Sequence, residues 1–593
     1  MPDLAQIDYQ ALTFPYARHP DQDAAAPSRH RVLVVGAGPV GLATAIDLAQ
    51  GGTEVVLLDE DDRLSTGSRA ICFAKRTLEI FDRLGCGEPM VRKGVSWNTG
   101  RVFLRDEQIY SFNLLAEAGH HRPAFVNLQQ YYVEGYLLDR AQTLPNLDIR
   151  WKHRVAAVSQ DTDAVTLTVA TPDGDYTLRC DYLVAADGAR SPIRHALGHG
   201  RSGQTFHDRF LIADVRMEAD FPAERWFWFD PPFHPGQSVL LHRQPDGIWR
   251  IDFQLGWDAD PVAERQPERV IPRLQALLGA DAKFELQWVS VYTFSCLRMP
   301  SFRDHRVLFA GDSAHCVSPF GARGANSGVQ DAENLAWKLR LVLEGNAPDR
   351  LLDSYAAERE FAADENILNS TRSTDFITPK SEVSRTFRDA TLLLARDCPF
   401  ARCLVNSGRL STPATLAASP LNTPDEDRFA GPMVPGAPCT DAPIRHENQA
   451  AWLLDQIGNV FTVLYFSNGT EAEPEDFRAL ATAKIPVRTI VVTPASSLRG
   501  AQRRSNPGLQ AGSCPPESPS REAARDGGCG RETVTTLIDA DGLLSERFDA
   551  QPGTTYLLRP DQHVCARWRR FDPARVHAAL ARATANLSET TPC

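Results

Sequence analysis

The sequence predicts an α/β protein built on a Rossmann-like dinucleotide-binding domain, and three observations carry that expectation. First, a strand, a glycine turn, a helix and a second strand ending in an acid follow one another between Arg31 and Asp59, in RVLVVGAGPVGLATAIDLAQGGTEVVLLD. Second, far downstream, another apolar strand runs into Gly311-Asp312, a glycine-rich loop and a further helix, in RVLFAGDSAHCVSPFGARGANSGVQDAENLAWKL. Third, the stretch from about Gly203 to Thr293 is β-rich and aromatic, with Trp226, Phe227, Trp228, Phe229, Trp249, Phe253 and Trp257.

Size and composition set the frame. A chain of 593 residues exceeds what one core can organise, so two to four domains are expected. At 43% hydrophobic and 23% charged it has the makeup of a soluble globular protein, and a net charge of −12 argues against nucleic-acid binding. No apolar run reaches the roughly 20 residues of a membrane helix, and the polar first 30 residues read as an extension, not a secretory signal. The twelve cysteines form no CxxC pair and no metal-ligand spacing, which fits reduced thiols in a cytoplasmic protein without a metal.

In the first motif, Val32–Val35 form a buried strand and Gly36, Gly38 and Gly41 the GxGxxG turn. Gly36 permits the tight turn, Gly38 lets the backbone approach a pyrophosphate, and Gly41 allows close helix–strand packing. The helix beginning near Pro39 presents free N–H groups and a partial positive charge to phosphate. Asp59, at the end of the second strand, is placed to bond an adenosine ribose, with Glu60 next to it as a weaker candidate.

The first motif does not choose between NAD and FAD; the second does. An NAD enzyme has no evident use for a second strand-loop-helix element, whereas the ribityl chain and flavin ring of FAD extend well past the pyrophosphate. Asp312 suits the ribityl hydroxyls, and the N–H groups of Gly324, Ala325 and Asn326 suit the pyrimidine side of the ring. A third segment, DYLVAADGARSPIR, sets Asp187-Gly188 at the end of another strand, followed by Ser191 and Arg194.

These three segments together resemble the single-component flavoprotein aromatic hydroxylases, the group that contains 4-hydroxybenzoate and phenol hydroxylases. The resemblance spans roughly residues 30–345 and implies FAD as cofactor, NADH or NADPH as co-substrate, and hydroxylation of a phenolic or other aromatic compound by O₂ through a flavin C4a-hydroperoxide. It also implies that Asp187 serves FAD and nicotinamide alike, that Arg69 contacts the dinucleotide, that Gln130 (with Gln129 adjacent) borders FAD, and that Pro319 passes beside the flavin ring. The partners implied are a small aromatic substrate, NAD(P)H and O₂, with a homodimer as the assembly.

The layout expected on this basis is an N-terminal extension over 1–30, an FAD-binding domain in two parts (31–200 and 300–345), a β-rich substrate domain over 201–299 and a helical segment over 346–430. The tail, 431–593, resembles the thioredoxin-like domain of the phenol hydroxylase branch, with DADGLLSERF and PGTTYLLRPD as the matching stretches. Lacking CxxC, it is read as structural or dimer-associated. Residues 499–532, rich in Arg, Ser, Gly and Pro, read as a disordered insertion.

The chain departs from the family in the flavin loop, which reads Gly321-Ala322-Arg323-Gly324-Ala325-Asn326. Arg323 either adds positive charge near the flavin or is simply solvated. After Arg69 the chain offers Ile71, Cys72 and Phe73, so no acid/base residue carries over there. Tyr292 and His242, from the β-rich region, are the candidates for that role, each weighed against a structural one. The alternatives are an FAD-dependent dehydrogenase or epoxidase of the same fold and a noncatalytic thioredoxin-like interaction protein.

Overall fold

The computed structural model describes residues 8–66, 69–405, 410–468, 476–481, 484–495 and 534–587. The insertion expected over 499–532 lies outside them. Two compact units emerge, one up to Ser419 and one from Pro420; the sequence reading placed this change at Gly431.

The first unit holds two large sheets. One is an eight-stranded sheet whose central path is Arg303–Asp304, Val307–Phe309, Gly174–Ala185, Ser28–Val35, Val55–Asp59 and Leu147–Trp151. Its core strands run parallel, with Val32 beside Val55 and Tyr182, and Ala185 beside Phe309. A parallel sheet covered on both faces reads as continuous apolar runs. Leu33, Val34, Leu183, Val184, Leu308 and Phe309 are accordingly all without exposed surface. The helices Pro39–Gln50 and Gly324–Leu343 follow two of these strands and cover the sheet. Both glycine-punctuated motifs therefore end at the same edge of one sheet, although 275 residues separate Gly36 from Gly311.

The other sheet is eight-stranded and mostly antiparallel. Its order is His315–Cys316, Phe284–Arg298, Ser202–Met217, Ile248–Leu255, Ser238–Arg243, Arg225–Phe229, Thr99–Leu104 and Glu107–Asn113. Thr99–Leu104 pairs parallel with Arg225–Phe229, so this sheet draws strands from the 31–200 stretch as well as from 201–299. Side chains alternate across it. Leu211, Trp228, Val239, Trp249, Ile251 and Phe253 pack on one face, and Phe210, Phe227, Phe229, Leu240 and Phe294 on the other. The aromatic run 226–229 is thus divided, two rings to each face.

The second unit is a mixed seven-stranded sheet in which Phe461–Phe466, Val487–Pro494 and Val534–Asp539 run parallel at the centre. Antiparallel strands Thr555–Leu558 and Val564–Trp568 complete one side. Within PGTTYLLRPD, Arg559 and Asp561 form a buried ion pair, the guanidinium Nε donating to Oδ1 at 2.9 Å. The nine cysteines among the described residues are free, and no described helix is long and apolar enough to cross a membrane.

Candidate functional site

At the first glycine turn, three glycines do three different jobs. Gly36 adopts φ +104°, and a Cβ there would lie 2.4 Å from Ala186 O. A Cβ at Gly41 would lie 1.8 Å from Gly36 O, so these two positions are closed by the fold itself. Gly38 has an ordinary φ of −75° and nothing within 4 Å of where a Cβ would project. Its missing side chain leaves open space at the start of the Pro39 helix, the place where a pyrophosphate would approach free N–H groups.

Asp59 secures this turn. Its Oδ2 accepts from Ala37 N at 2.5 Å and its Oδ1 from Asp61 N at 2.8 Å, while burial holds the carboxyl above the usual carboxylate range. Each oxygen keeps a further lone pair for a hydroxyl. Glu60 points into solvent.

The second half of the site is tied to the first through the Asp187 segment. Asp187 Oδ2 accepts from Ile193 N at 3.1 Å, and Ser191 caps that short helix by accepting from Arg194 N. Buried Arg194 then crosses to the other loop, donating from Nη1 to Ser313 O at 2.7 Å and from Nη2 to Ala189 O at 3.0 Å. Ser313 in turn donates to Ala185 O at 2.6 Å. Asp187 and Asp312 are thereby set on neighbouring strand ends. Asp312 is reachable by solvent on one side and otherwise ringed by protein, whose desolvation pushes its carboxyl up.

Beyond Asp312 the loop is pinned from beneath. His315 stacks on Phe302 and meets Asp331 at 2.7 Å, and Asp331 also accepts from Gly311 N and Arg359 Nε. His315 is therefore a loop-orienting residue. Pro319, itself exposed, opens a single turn whose Phe320 and Gly321 are buried, and Ala322 after it sits at φ +50°. Arg323 is buried, at 3% exposure, against the backbone of Gly321, which removes the solvated reading of this side chain. Gly324 and Ala325 begin the long helix with half-buried backbone. Asn326 turns inward: its Nδ2 donates to Cys72 O at 2.9 Å and its Oδ1 accepts from Ala74 N at 2.8 Å, fastening the short strand Cys72–Ala74 to the flavin loop.

Arg69 is exposed, and its carbonyl accepts from Arg250. Gln130 accepts from Ala70 N at 3.1 Å and donates to Glu134 at 2.7 Å, so it positions the segment that carries Arg69. Its neighbour Gln129 is fully buried with an Oε1 that has no partner. The sequence offered Gln129 as the neighbour of Gln130, without a signal for which of the two carries a free acceptor.

The aromatic sheet supplies the opposite wall. Its register brings five polar or aromatic side chains into one transverse row: Trp288, Asp214, Arg250, His242 and Arg225, each opposite the next. Arg250 and Asp214 form a bidentate ion pair at 2.8 and 2.9 Å. The adjacent row on the same face reads Ser290, Ile212, Asp252, Leu240 and Phe227. His242 Nδ1 lies 3.9 Å from Cys72 Sγ, and its Nε2 lies 3.7 Å from Asp252 Oδ2. The row thus touches the strand that Asn326 holds. Burial, and then the charge of Arg225, push the His242 imidazole down to about 4, so it is neutral near pH 7. Tyr292 shares the face but stands three strands across and four residues along from His242, roughly 19 Å by strand geometry. The fold does not bring Tyr292 and His242 together.

These features fit FAD. Open space at Gly38 and two helix N-termini suit the phosphates and the ring carbonyls, Asp59 and Asp312 suit ribose and ribityl hydroxyls, and the unsatisfied Gln129 oxygen awaits a donor.

Comparison with known proteins agrees. The model of the FAD binding domain family matches residues 29–370, and that of the HcaD C-terminal domain matches residues 439–583. The chain is 26% identical to the 3-(3-hydroxy-phenyl)propionate/3-hydroxycinnamic acid hydroxylase of Mycolicibacterium smegmatis, across 91% of this chain and 90% of that protein. It is 32% identical to para-nitrophenol 4-monooxygenase of a Pseudomonas species, across 55% of this chain and 82% of the relative. The crystal structure of the flavin-dependent monooxygenase PieE, in complex with FAD and substrate, superimposes with a TM-score of 0.74 at 21% identity, covering 95% of this chain and 100% of PieE, and shows the shared fold. With the FAD-binding model spanning more than half of its length and the fold agreeing, the chain belongs to the FAD binding domain family of class A flavoprotein monooxygenases.

Proposed function

We propose that this chain is an aromatic hydroxylase that consumes NADH or NADPH and O₂ to place a hydroxyl group on a phenolic ring. One observation carries the reading: a split FAD cradle, joined by Arg194, faces a buried row of titratable side chains across the Cys72–Ala74 strand. When bound, FAD supplies the redox chemistry, taking electrons from the nicotinamide and activating O₂.

The chain's own part is positioning, exclusion of water and proton handling. Gly36–Gly41 and Asp59 would hold the adenosine half, and Asp312 with Gly324, Ala325 and Asn326 the flavin half. Asp187 is read as serving both FAD and a nicotinamide nucleotide, and Arg69 as contacting the dinucleotide. Phe227, Leu240 and Ile212 form the apolar wall against which a ring would lie. Neutral His242, backed by Asp252, is the acceptor for a phenolic proton, and losing that proton makes the ring more nucleophilic. Relatives that act on hydroxyphenyl-propionate and nitrophenol support a phenol as substrate. The C-terminal unit is read as a thioredoxin-like structural domain, and a homodimer as the assembly.

The test is NAD(P)H-dependent O₂ uptake over a panel of phenols, with mass analysis of products. A hydroxylase consumes both faster with its phenol and returns a product heavier by one oxygen atom. Substrate oxidation that needs neither O₂ incorporation nor NAD(P)H would instead identify a dehydrogenase of the same fold.

A further inference from the structure

Arg225 stands at the end of the buried polar row, next to His242. It is 3% exposed, and its Nε and Nη1 are buried without a hydrogen-bond partner. Its guanidinium makes no ion pair among the described residues; its contact is the face of Phe227, 4.8 Å from the ring centre. Arg250, two strands away in the same row, shows what the fold does with a buried guanidinium it uses structurally: it gives it Asp214, bidentate.

An uncompensated buried cation is costly, and hydrophobic side chains of similar volume would serve packing better. The nearby acid eases that cost through its field but forms no ion pair with it. Asp252 lies in the next row, directs Oδ2 toward His242, and leaves its Oδ1 buried without a partner. The thiol of Cys72, which lies close enough to affect Arg225 electrostatically, is pushed up by burial and so stays protonated. A guanidinium presents planar donors suited to an oxygen anion. Arg225 lies on the side of the sheet that also carries Phe227 and Leu240, where a ring would be held.

We propose that Arg225 is a specificity-determining residue that binds an ionised oxygen of the aromatic substrate. The inference rests on the hydroxylase reading and adds the substrate class: an aromatic compound held by an oxyanion, either a side-chain carboxylate or the ring phenolate left once His242 has taken the phenolic proton. With His242 and Asp252 beside it, one substrate oxygen would receive N–H donors while a neighbouring acceptor takes a proton.

The test is equilibrium binding to FAD-loaded enzyme without NAD(P)H, followed by perturbation of the flavin absorbance, so that it reads binding and not turnover. Two pairs of probes set an anion against a neutral analogue: 3-phenylpropanoate against 3-phenylpropanamide, and 4-nitrophenol, ionised, against 4-nitroanisole. In at least one pair the wild-type enzyme should prefer the oxyanion by roughly 10- to 100-fold, the factor a charge-assisted hydrogen bond is worth. That pair names the source of the anion. Arg225→Gln should abolish the preference, and Arg225→Lys, which keeps the charge in a fold close to wild type, should retain part of it. Equal binding of both members in each pair, absence of binding by both anions, or a preference that survives Arg225→Gln would overturn the proposal. Hydroxylation in the uptake assay would be untouched by those outcomes, so the two readings fail separately.

Discussion

Arg194 donates to the carbonyl of Ser313 at 2.7 Å, and by this one contact the loop after Asp187 holds the loop after Gly311. The two loops are 119 residues apart in sequence, and each carries an acid of the FAD cradle. A second donation, to Ala189 O at 3.0 Å, fixes the guanidinium at its own end. Arg194→Ala removes both bonds, each worth about 1.5–3 kcal/mol as a charged donor. FAD affinity is expected to fall by roughly 10- to 100-fold, since only part of that loss is passed to the ligand. Fluorescence titration of the apoprotein with FAD measures it, and an unchanged dissociation constant would remove Arg194 from the account.

The glycines of the first turn separate stability from binding. Gly36→Ala puts a Cβ at φ +104° and 2.4 Å from a backbone oxygen, and should cost at least about 2 kcal/mol in the apoprotein. Gly38→Ala meets no protein atom within 4 Å and has an unstrained φ; as a change at a helix N-cap it should cost no more than about 1 kcal/mol. Yet Gly38→Ala should lose FAD, because its methyl fills the approach to the helix N-terminus. Thermal unfolding of both apoproteins, with FAD titration alongside, checks the contrast. A Gly38→Ala protein that binds FAD normally would place the pyrophosphate elsewhere.

Sequence made the cradle legible and left the wall opposite it obscure, for a physical reason. Gly36, Gly41 and Asp59 act within one strand-turn-helix unit, so their order along the chain is their order in space. The polar row is different. Asp214, Arg225, His242 and Arg250 sit on four strands, and they meet only because the pairing register sets them side by side. A slip of one residue would turn each to the other face. The same holds for Asn326, whose partner Cys72 is 254 residues away, and for Arg323, which looked equally fit for solvent until the loop folded over it.

Asp331 ties the flavin loop to stability in acid. Burial alone would raise its carboxyl, but His315 and Arg359 overcome that and hold it below the ordinary carboxylate range. Because the folded value lies below the unfolded one, its contribution is present in full above the unfolded carboxylate pKa and is lost as pH falls toward the folded value. Asp331→Asn strands Arg359 in a buried site and should cost about 3–5 kcal/mol at neutral pH. It should also flatten the acid side of the stability curve, seen by thermal unfolding between pH 7 and 3. A parallel loss at every pH would show that the carboxyl is not among the groups titrating there.

His242 predicts a linkage of the same sign at higher pH. Its pKa drops from 6.5 to about 4 because burial and Arg225 oppose the charged form. The unfolded chain therefore takes up a proton that the folded protein refuses, and stability erodes as pH falls from 6.5 toward 4, by up to about 1.4 kcal/mol per unit. His242→Asn should remove that slope. In turnover, neutral imidazole is available throughout the neutral range, so the phenol-dependent kcat/KM should show no His242 limb between pH 6 and 8 and should meet one only near pH 4. The same variant should lower kcat/KM by roughly 100-fold, the scale of general-base assistance, while leaving FAD affinity unchanged, since His242 meets the cradle only through Cys72. A full rate in His242→Asn, with the stability slope removed as expected, would leave the imidazole a buried structural residue and pass the proton-accepting role to Asp252.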